Sequence, residues 1–159
     1  KYNLTDMQAA LGLAQLSRLP EINRRREEIA GMYREGLKGV EGIDLPGIPE
    51  YDHVHAWHLF VVKVKSMDRG AFMEALSRYN VGYGLHFPAC HLLTHVRKRF
   101  GTAAEMLPET ERAAAHIVSL PLFPDMRDDD VWYVCDAIRA ILKNPAPARN
   151  SKPAPAMQP

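Results

Sequence analysis

Residues 1–16, KYNLTDMQAALGLAQL, decide how the rest of the chain must be read. Lys1-Tyr2-Asn3 is a short extended lead into a helix start. Thr5 can accept from the backbone N–H of Gln8 while Gln8 reaches back to Thr5, the reciprocal pattern of a capping box. Asp6 falls in the first turn, where the positive end of the helix dipole favours a carboxylate. From Met7 to Leu16 almost every position is apolar or small. A helix that is apolar nearly all round needs cover all round. That cover is expected from polypeptide preceding Lys1 or from a partner subunit.

Outward from this helix, Pro20 either kinks it or restarts it at a first-turn position. Ile22, Ile29, Tyr33 and Leu37 then trace one apolar stripe. Arg24, Arg25 and Arg26 are followed at once by Glu27 and Glu28, a pattern of a solvated, self-paired helix face rather than a phosphate patch. Gly39 and Gly42 close the helix, and Ile43–Leu45 can form a short strand. Trp57–Val64, WHLFVVKV, has the strongest strand composition in the chain, with Phe60, Val62 and Val64 on one face. Asp68 is placed to cap a helix whose apolar positions are Phe72, Ala75, Leu76 and Tyr79.

Val81–Phe87, VGYGLHF, reads as another strand. Its period of two puts Gly82, Gly84 and His86 on one face. Bare glycines permit close approach of a backbone or ligand, so His86 projects where a functional histidine can work. His91–Phe100 and Pro108–His116 follow as helices, the second opening on a first-turn proline. Ile117–Leu122 is a short strand. Asp128 is expected to cap a last helix with Val131, Val134, Cys135, Ile138, Ile141 and Leu142 inward. Residues 144–159, NPAPARNSKPAPAMQP, hold 5 of the 12 prolines and too few apolar side chains to fold, so a disordered tail is expected there. The fold class is α+β: a long first helix, then a small sheet with helices packed on it.

Composition narrows the function. The 159 residues suit one domain, 47% hydrophobic and 25% charged. A net charge of +1 argues against a protein built for nucleic acid. No apolar run is long enough to span a membrane, and no signal peptide is evident. Cys90 and Cys135 allow one bridge at most, and reduced thiols are the plainer reading, in keeping with a cytoplasmic protein. His53, His55, His58, His86, His91 and His95 invite a metal, but no H-E-x-x-H spacing or completing carboxylate is present, so no metal site is assigned. Cys90 near His86 and His91 lacks evidence of a base within reach and reads as an inert thiol. On chemistry alone the chain offers one suggestive histidine strand and no catalytic residue.

Four separated motifs add a resemblance. They are Tyr2-Asn3-Leu4-Thr5-Asp6 with Gln8-Ala9-Ala10; His53-Val54-His55-Ala56-Trp57-His58-Leu59-Phe60; Gly84-Leu85-His86-Phe87; and Ser119-Leu120-Pro121-Leu122-Phe123-Pro124-Asp125-Met126. Together, over about residues 1–143, they resemble the C-terminal portion of the DegT/DnrJ/EryC1/StrS sugar aminotransferases. Within that family they look most like the branch that makes UDP-4-amino-4-deoxy-L-arabinose for lipid A modification and polymyxin resistance.

The resemblance implies that residues 1–143 are the small C-terminal domain of a fold-type-I, pyridoxal 5'-phosphate (PLP)-dependent transferase. It implies a homodimer that moves an amino group from glutamate to a UDP-4-keto-pentose. The Schiff-base lysine would belong to a large domain outside this chain, since none of the chain's lysines matches that motif, so the chain alone would be inactive. Asn3 matches the asparagine that reaches the PLP phosphate of the neighbouring subunit, and Thr5 stands where many relatives carry arginine. His86 matches a histidine bordering the sugar-nucleotide pocket. The rival is a non-catalytic α+β module that dimerises through its opening helix.

Overall fold

A computed structural model of the chain describes residues 3–144. The proline-rich tail expected at 144–159 therefore lies, but for Asn144, outside the described residues, as do Lys1 and Tyr2. The opening helix, α1, runs unbroken over Asp6–Gly36 with Pro20 inside it. The capping box forms as expected. Thr5 Oγ1 accepts from Gln8 N–H at 3.3 Å, and Gln8 Oε1 accepts from Thr5 N–H at 3.0 Å.

Two regimes divide α1. Before Ile29 no residue is buried, and Met7, Leu11, Leu13 and Leu16 are each more than 60% exposed. From Ile29 onward the helix carries the core residues Ile29, Ala30, Tyr33 and Leu37. The apolar face of Met7–Leu16 is thus left open within this chain, the uncovered surface its composition foretold.

Three antiparallel strands follow in the order β1 (Ile43–Asp44), β2 (Phe60–Val64) and β3 (Ile117–Leu120). Ile43 pairs with Val64, and Phe60, Val62 and Lys63 pair with Leu120, Val118 and Ile117. The expected alternation in β2 is met, with Phe60, Val62 and Val64 fully buried and Lys63 exposed. Each strand is shorter than its composition predicts. β2 begins three residues late because Trp57 takes a left-handed conformation (φ 41°), which breaks the extended run.

The buried face of the sheet meets α1, α2 (Arg69–Arg78) and α5 (Asp128–Lys143). α2 contributes Phe72 and Leu76, and α5 contributes Val131, Val134, Cys135, Ile138 and Ile141. Tyr33 is fully buried among them, its ring 5.0 Å from Phe60 and its hydroxyl donating to the Pro121 carbonyl at 2.8 Å. Burial pushes the Tyr33 phenol well above its ordinary value. α4 (Pro108–His116) lies on the opposite side of the sheet, facing Lys63 and Lys65 across a cleft.

Two local expectations change. Asp68 caps α2, accepting from Ala71 N–H at 2.9 Å, but Asp128 does not cap α5. Arg127 occupies that position without a side-chain cap, and Asp128 instead takes a hydrogen bond from Arg25 at 2.7 Å. The helix His91–Phe100 is also split into a 3₁₀ turn, Cys90–Leu92, and α3, Thr94–Phe100. His91 and His95 therefore do not share one helical face.

Candidate functional site

His86 sits on a small cradle built by the outer edge of β3. The predicted strand Val81–Phe87 is reduced to a single bridge, Gly84 opposite Ser119. Gly84 N–H donates to the Ser119 carbonyl at 3.0 Å, and Ser119 N–H donates back at 2.9 Å. The rest of the segment does not pair, because Gly82 brings no side chain to pack and Pro88 has no N–H to donate. The shared face of Gly84 and His86 is nevertheless as expected. The imidazole lies over the glycine so closely that a Cβ at position 84 would come within 2.9 Å of Nδ1. A side chain at position 84 would have to displace the His86 ring, whereas the backbone angle sets no such demand.

Ser119 completes the cradle. It is 4% exposed, and its Oγ lies 2.9 Å from His86 Nδ1. The Phe87 ring meets the imidazole edge-on at 5.2 Å, and the His86–Phe87 peptide is cis. Tyr83, Leu85 and Phe87 remain partly exposed around it. Sequence reasoning passed over Ser119. The available signal was a lone polar residue in the otherwise apolar strand Ile117–Leu120.

Asn3 stands at the other extreme of the molecule. It is exposed and precedes the capping box of α1. Tyr33, whose hydroxyl touches Pro121 just beyond β3, lies 30 residues further along. At ~1.5 Å per residue, about 45 Å of chain axis separates them. The two predicted site residues, Asn3 and His86, are therefore not brought together within one chain.

The other histidines divide by environment. His53 Nδ1 lies 2.8 Å from the Tyr51 carbonyl, and His55 Nδ1 accepts from Trp57 N–H at 2.8 Å. His55 leans on Trp57 with ring centres 4.2 Å apart, beside a cavity of about 520 Å³ between α1 and the loop before β2. Trp57 Nε1 donates to Glu27 across that cavity wall. His91, expected to open a helix, lies instead in the 3₁₀ turn, is 7% exposed and is bonded through Nε2 to Glu111 Oε1 at 2.9 Å. That bond holds the Glu111 carboxyl below the usual carboxylate range. Among the described residues no cluster of three or more His, Cys, Asp or Glu side chains is assembled.

The arginine run is only partly the self-paired face expected of it. Arg24 does pair with Glu28 at 2.5 Å. Arg25, however, reaches Glu28, Asp128 and the Met126 carbonyl, and so ties α1 to the start of α5. Both cysteines are free thiols, Cys90 exposed and Cys135 buried, and burial pushes the Cys135 thiol up to about 11. No helix among the described residues is long and apolar enough to cross a membrane.

Comparison with known proteins places this geometry. Residues 1–139 match the DegT/DnrJ/EryC1/StrS aminotransferase family. Among solved structures, the aminotransferase TlmJ from Streptoalloteichus hindustanus is similar at 33% identity and a TM-score of 0.79 over 87% of this chain. DesV of S. venezuelae is similar at 31% identity and a TM-score of 0.79, again over 87%. Spr1654 from Streptococcus pneumoniae, in its PLP form, gives 25% identity and a TM-score of 0.81 over 89%. The chain spans 36% of the length of each of these proteins. The helices and the small open antiparallel sheet are the architecture these relatives share with it. The chain belongs to the DegT/DnrJ/EryC1/StrS aminotransferase family.

Proposed function

We propose that residues 1–143 are the small C-terminal domain of a PLP-dependent sugar-nucleotide aminotransferase that works as a cytoplasmic homodimer. Its reaction moves an amino group from glutamate to a UDP-4-keto-pentose, in the branch of the family that serves lipid A modification. The observation that carries the reading is the projection of α1. Asn3 lies about 40 Å along the helix axis from the chain's own core, which α1 enters at Ile29, so its amide can serve only a site completed by other polypeptide. A domain contributing one residue to a neighbour's site and another, His86, to a nearer one has that geometry. The span of 36% of its relatives' length accords with a chain that supplies only part of each site.

The residues present fit a share of the cofactor site. Asn3 offers an amide donor beside a helix N-terminus, where the N–H groups of the first turn favour a phosphate. Thr5 and Gln8 are engaged with each other in the capping box, which leaves Asn3 the donor free to turn outward. The lysines described within the chain, Lys38, Lys63, Lys65, Lys98 and Lys143, are all exposed, and none is hydrogen-bonded to Gly84, His86 or Ser119. The cofactor lysine would come from a large domain outside this chain. PLP, when bound, supplies the electron sink for amino transfer. This chain would hold its phosphate through Asn3 and present His86 to the sugar nucleotide.

In the complete enzyme, Asn3→Ala is expected to weaken PLP retention by about tenfold, the worth of one hydrogen bond to a charged group. Equilibrium dialysis against PLP reads it, and unchanged affinity would remove Asn3 from the cofactor site. The 159-residue chain alone is expected to be inactive on a UDP-4-keto-pentose with glutamate, and turnover by it would overturn the assignment of the lysine elsewhere. The rival reading, a dimerisation module without cofactor, shares the open apolar flank of α1. It predicts instead that the complete protein neither retains PLP nor transfers an amino group.

A further inference from the structure

Ser119 has one hydrogen-bond partner for its side chain among the described residues, His86 Nδ1 at 2.9 Å. Because Ser119 is buried, its hydroxyl proton has one place to go. Were Nδ1 to carry the ring proton and donate to Oγ, the hydroxyl would be left buried without an acceptor, an arrangement that costs the full desolvation of that group. We propose that Ser119 is the positioning residue of His86. It donates to Nδ1 and so fixes the neutral imidazole in the tautomer whose proton is on Nε2. The two nitrogens of a histidine are set against each other in this way: the bond made at one decides what the other can offer.

The cradle makes the assignment geometric as well as chemical. The Gly84–Ser119 bridge, closed by two backbone hydrogen bonds of 2.9 and 3.0 Å, fixes the height of Ser119 relative to the ring. The bare Gly84 lets the ring lie flat enough to reach Oγ. Nε2 has no protein partner among the described residues, and with a proton on it His86 presents a donor. Its ligand must then meet it with an acceptor oxygen, such as a sugar hydroxyl or carbonyl or a diphosphate oxygen. An ammonium group would be refused there. This consequence rests on the reading of His86 as a substrate residue, whereas the tautomer itself needs no ligand and is tested without one.

The test is a ring-nitrogen correlation spectrum of the isotope-labelled 159-residue chain, at a pH where the imidazole is neutral, with His86→Gln used to assign the signal. The expected wild-type result is the pattern of a single tautomer protonated at Nε2. Ser119→Ala should abolish that pattern in favour of an averaged one, and Ser119→Thr, which keeps the hydroxyl, should restore it. Gly84→Ala provides an independent route, since the added Cβ must push the ring off Oγ and cause the same loss with Ser119 intact. Far-UV circular dichroism shows whether each variant folds. A wild-type ring protonated at Nδ1, or a folded Ser119→Ala or Gly84→Ala variant with the wild-type pattern, would overturn the proposal. Loss of UDP binding on His86→Gln bears on the substrate reading alone, so the two can fail separately.

Discussion

Glu111 accepts from His91 Nε2 and from the backbone N–H of Glu105, and His91's own carbonyl accepts from Thr102 Oγ1 at 2.6 Å. Four residues thus fasten the long excursion between the His86 cradle and α4. The His91 bond is the chief cause that lowers the Glu111 carboxyl, so the ionised form is favoured in the folded chain. A carboxyl depressed on folding contributes stability above its unfolded value, ~4.3, and that contribution is lost as pH falls through the folded value. Thermal unfolding is therefore expected to occur at a lower temperature as pH drops from ~5 towards ~3. Glu111→Gln should remove part of that acid sensitivity, and calorimetry across the range reads it. An acid limb unchanged in Glu111→Gln would show that other carboxyls set it. None of this was legible in the sequence, where His91 and Glu111 stand 20 residues apart. Their pairing depends on how α4 returns to the sheet. The Thr5–Gln8 and Asp68–Ala71 caps were legible because donor and acceptor lie three residues apart and local geometry alone joins them.

Packing between α1 and α5 rests on a glycine and an arginine. At Gly36 a Cβ would come within 2.6 Å of Cys135 Sγ and 2.9 Å of Trp132 Cζ3. Gly36→Ala must then part the two helices. Overpacking of this kind costs about 1–3 kcal/mol, which exceeds the gain of up to ~1 kcal/mol from better helix propensity. Urea denaturation should show the net loss, and an unchanged midpoint would mean that the interface can yield. Arg25 brackets the same pair of helices from the other end through Asp128 and the Met126 carbonyl. This explains why the Asp128 cap was misread. The residue type and its place before an apolar run suit a cap, but a partner 103 residues away claims the carboxylate. β2 was legible from its β-branched and aromatic content, and its burial pattern followed from period two. The strand at Val81–Phe87 was over-read, since alternation was present but only Gly84 finds a pairing partner.

On the scale of the whole molecule, stability is unevenly shared. Every core residue of α1 lies at or beyond Ile29 and its tertiary side-chain bonds among the described residues begin at Arg25, so the first turns, Asp6 to Leu19, are supported within this chain by the capping box and local bonds. Isolated helical segments of that length are marginal in water. Amides of Ala9–Leu19 are therefore expected to exchange with solvent orders of magnitude faster than those of Ala30–Gly36. Hydrogen-exchange mass spectrometry of the chain reads this directly, and uniform protection along α1 would mean that the apolar flank is covered in solution. What the sequence made legible was the need for cover. Which surface supplies it depends on atoms beyond this chain. Asn3 lies roughly 30 Å beyond the Arg25 bracket, so α1 is a lever pivoted where Arg25 meets Asp128. A tilt of about 5° at that pivot sweeps its tip by ~3 Å, the full length of a hydrogen bond. On the proposed reading of Asn3, the angular stiffness of α1 at that bracket, shared by the Arg25 bonds and the core packing from Ile29 onward, would set how accurately its amide reaches a neighbour's cofactor.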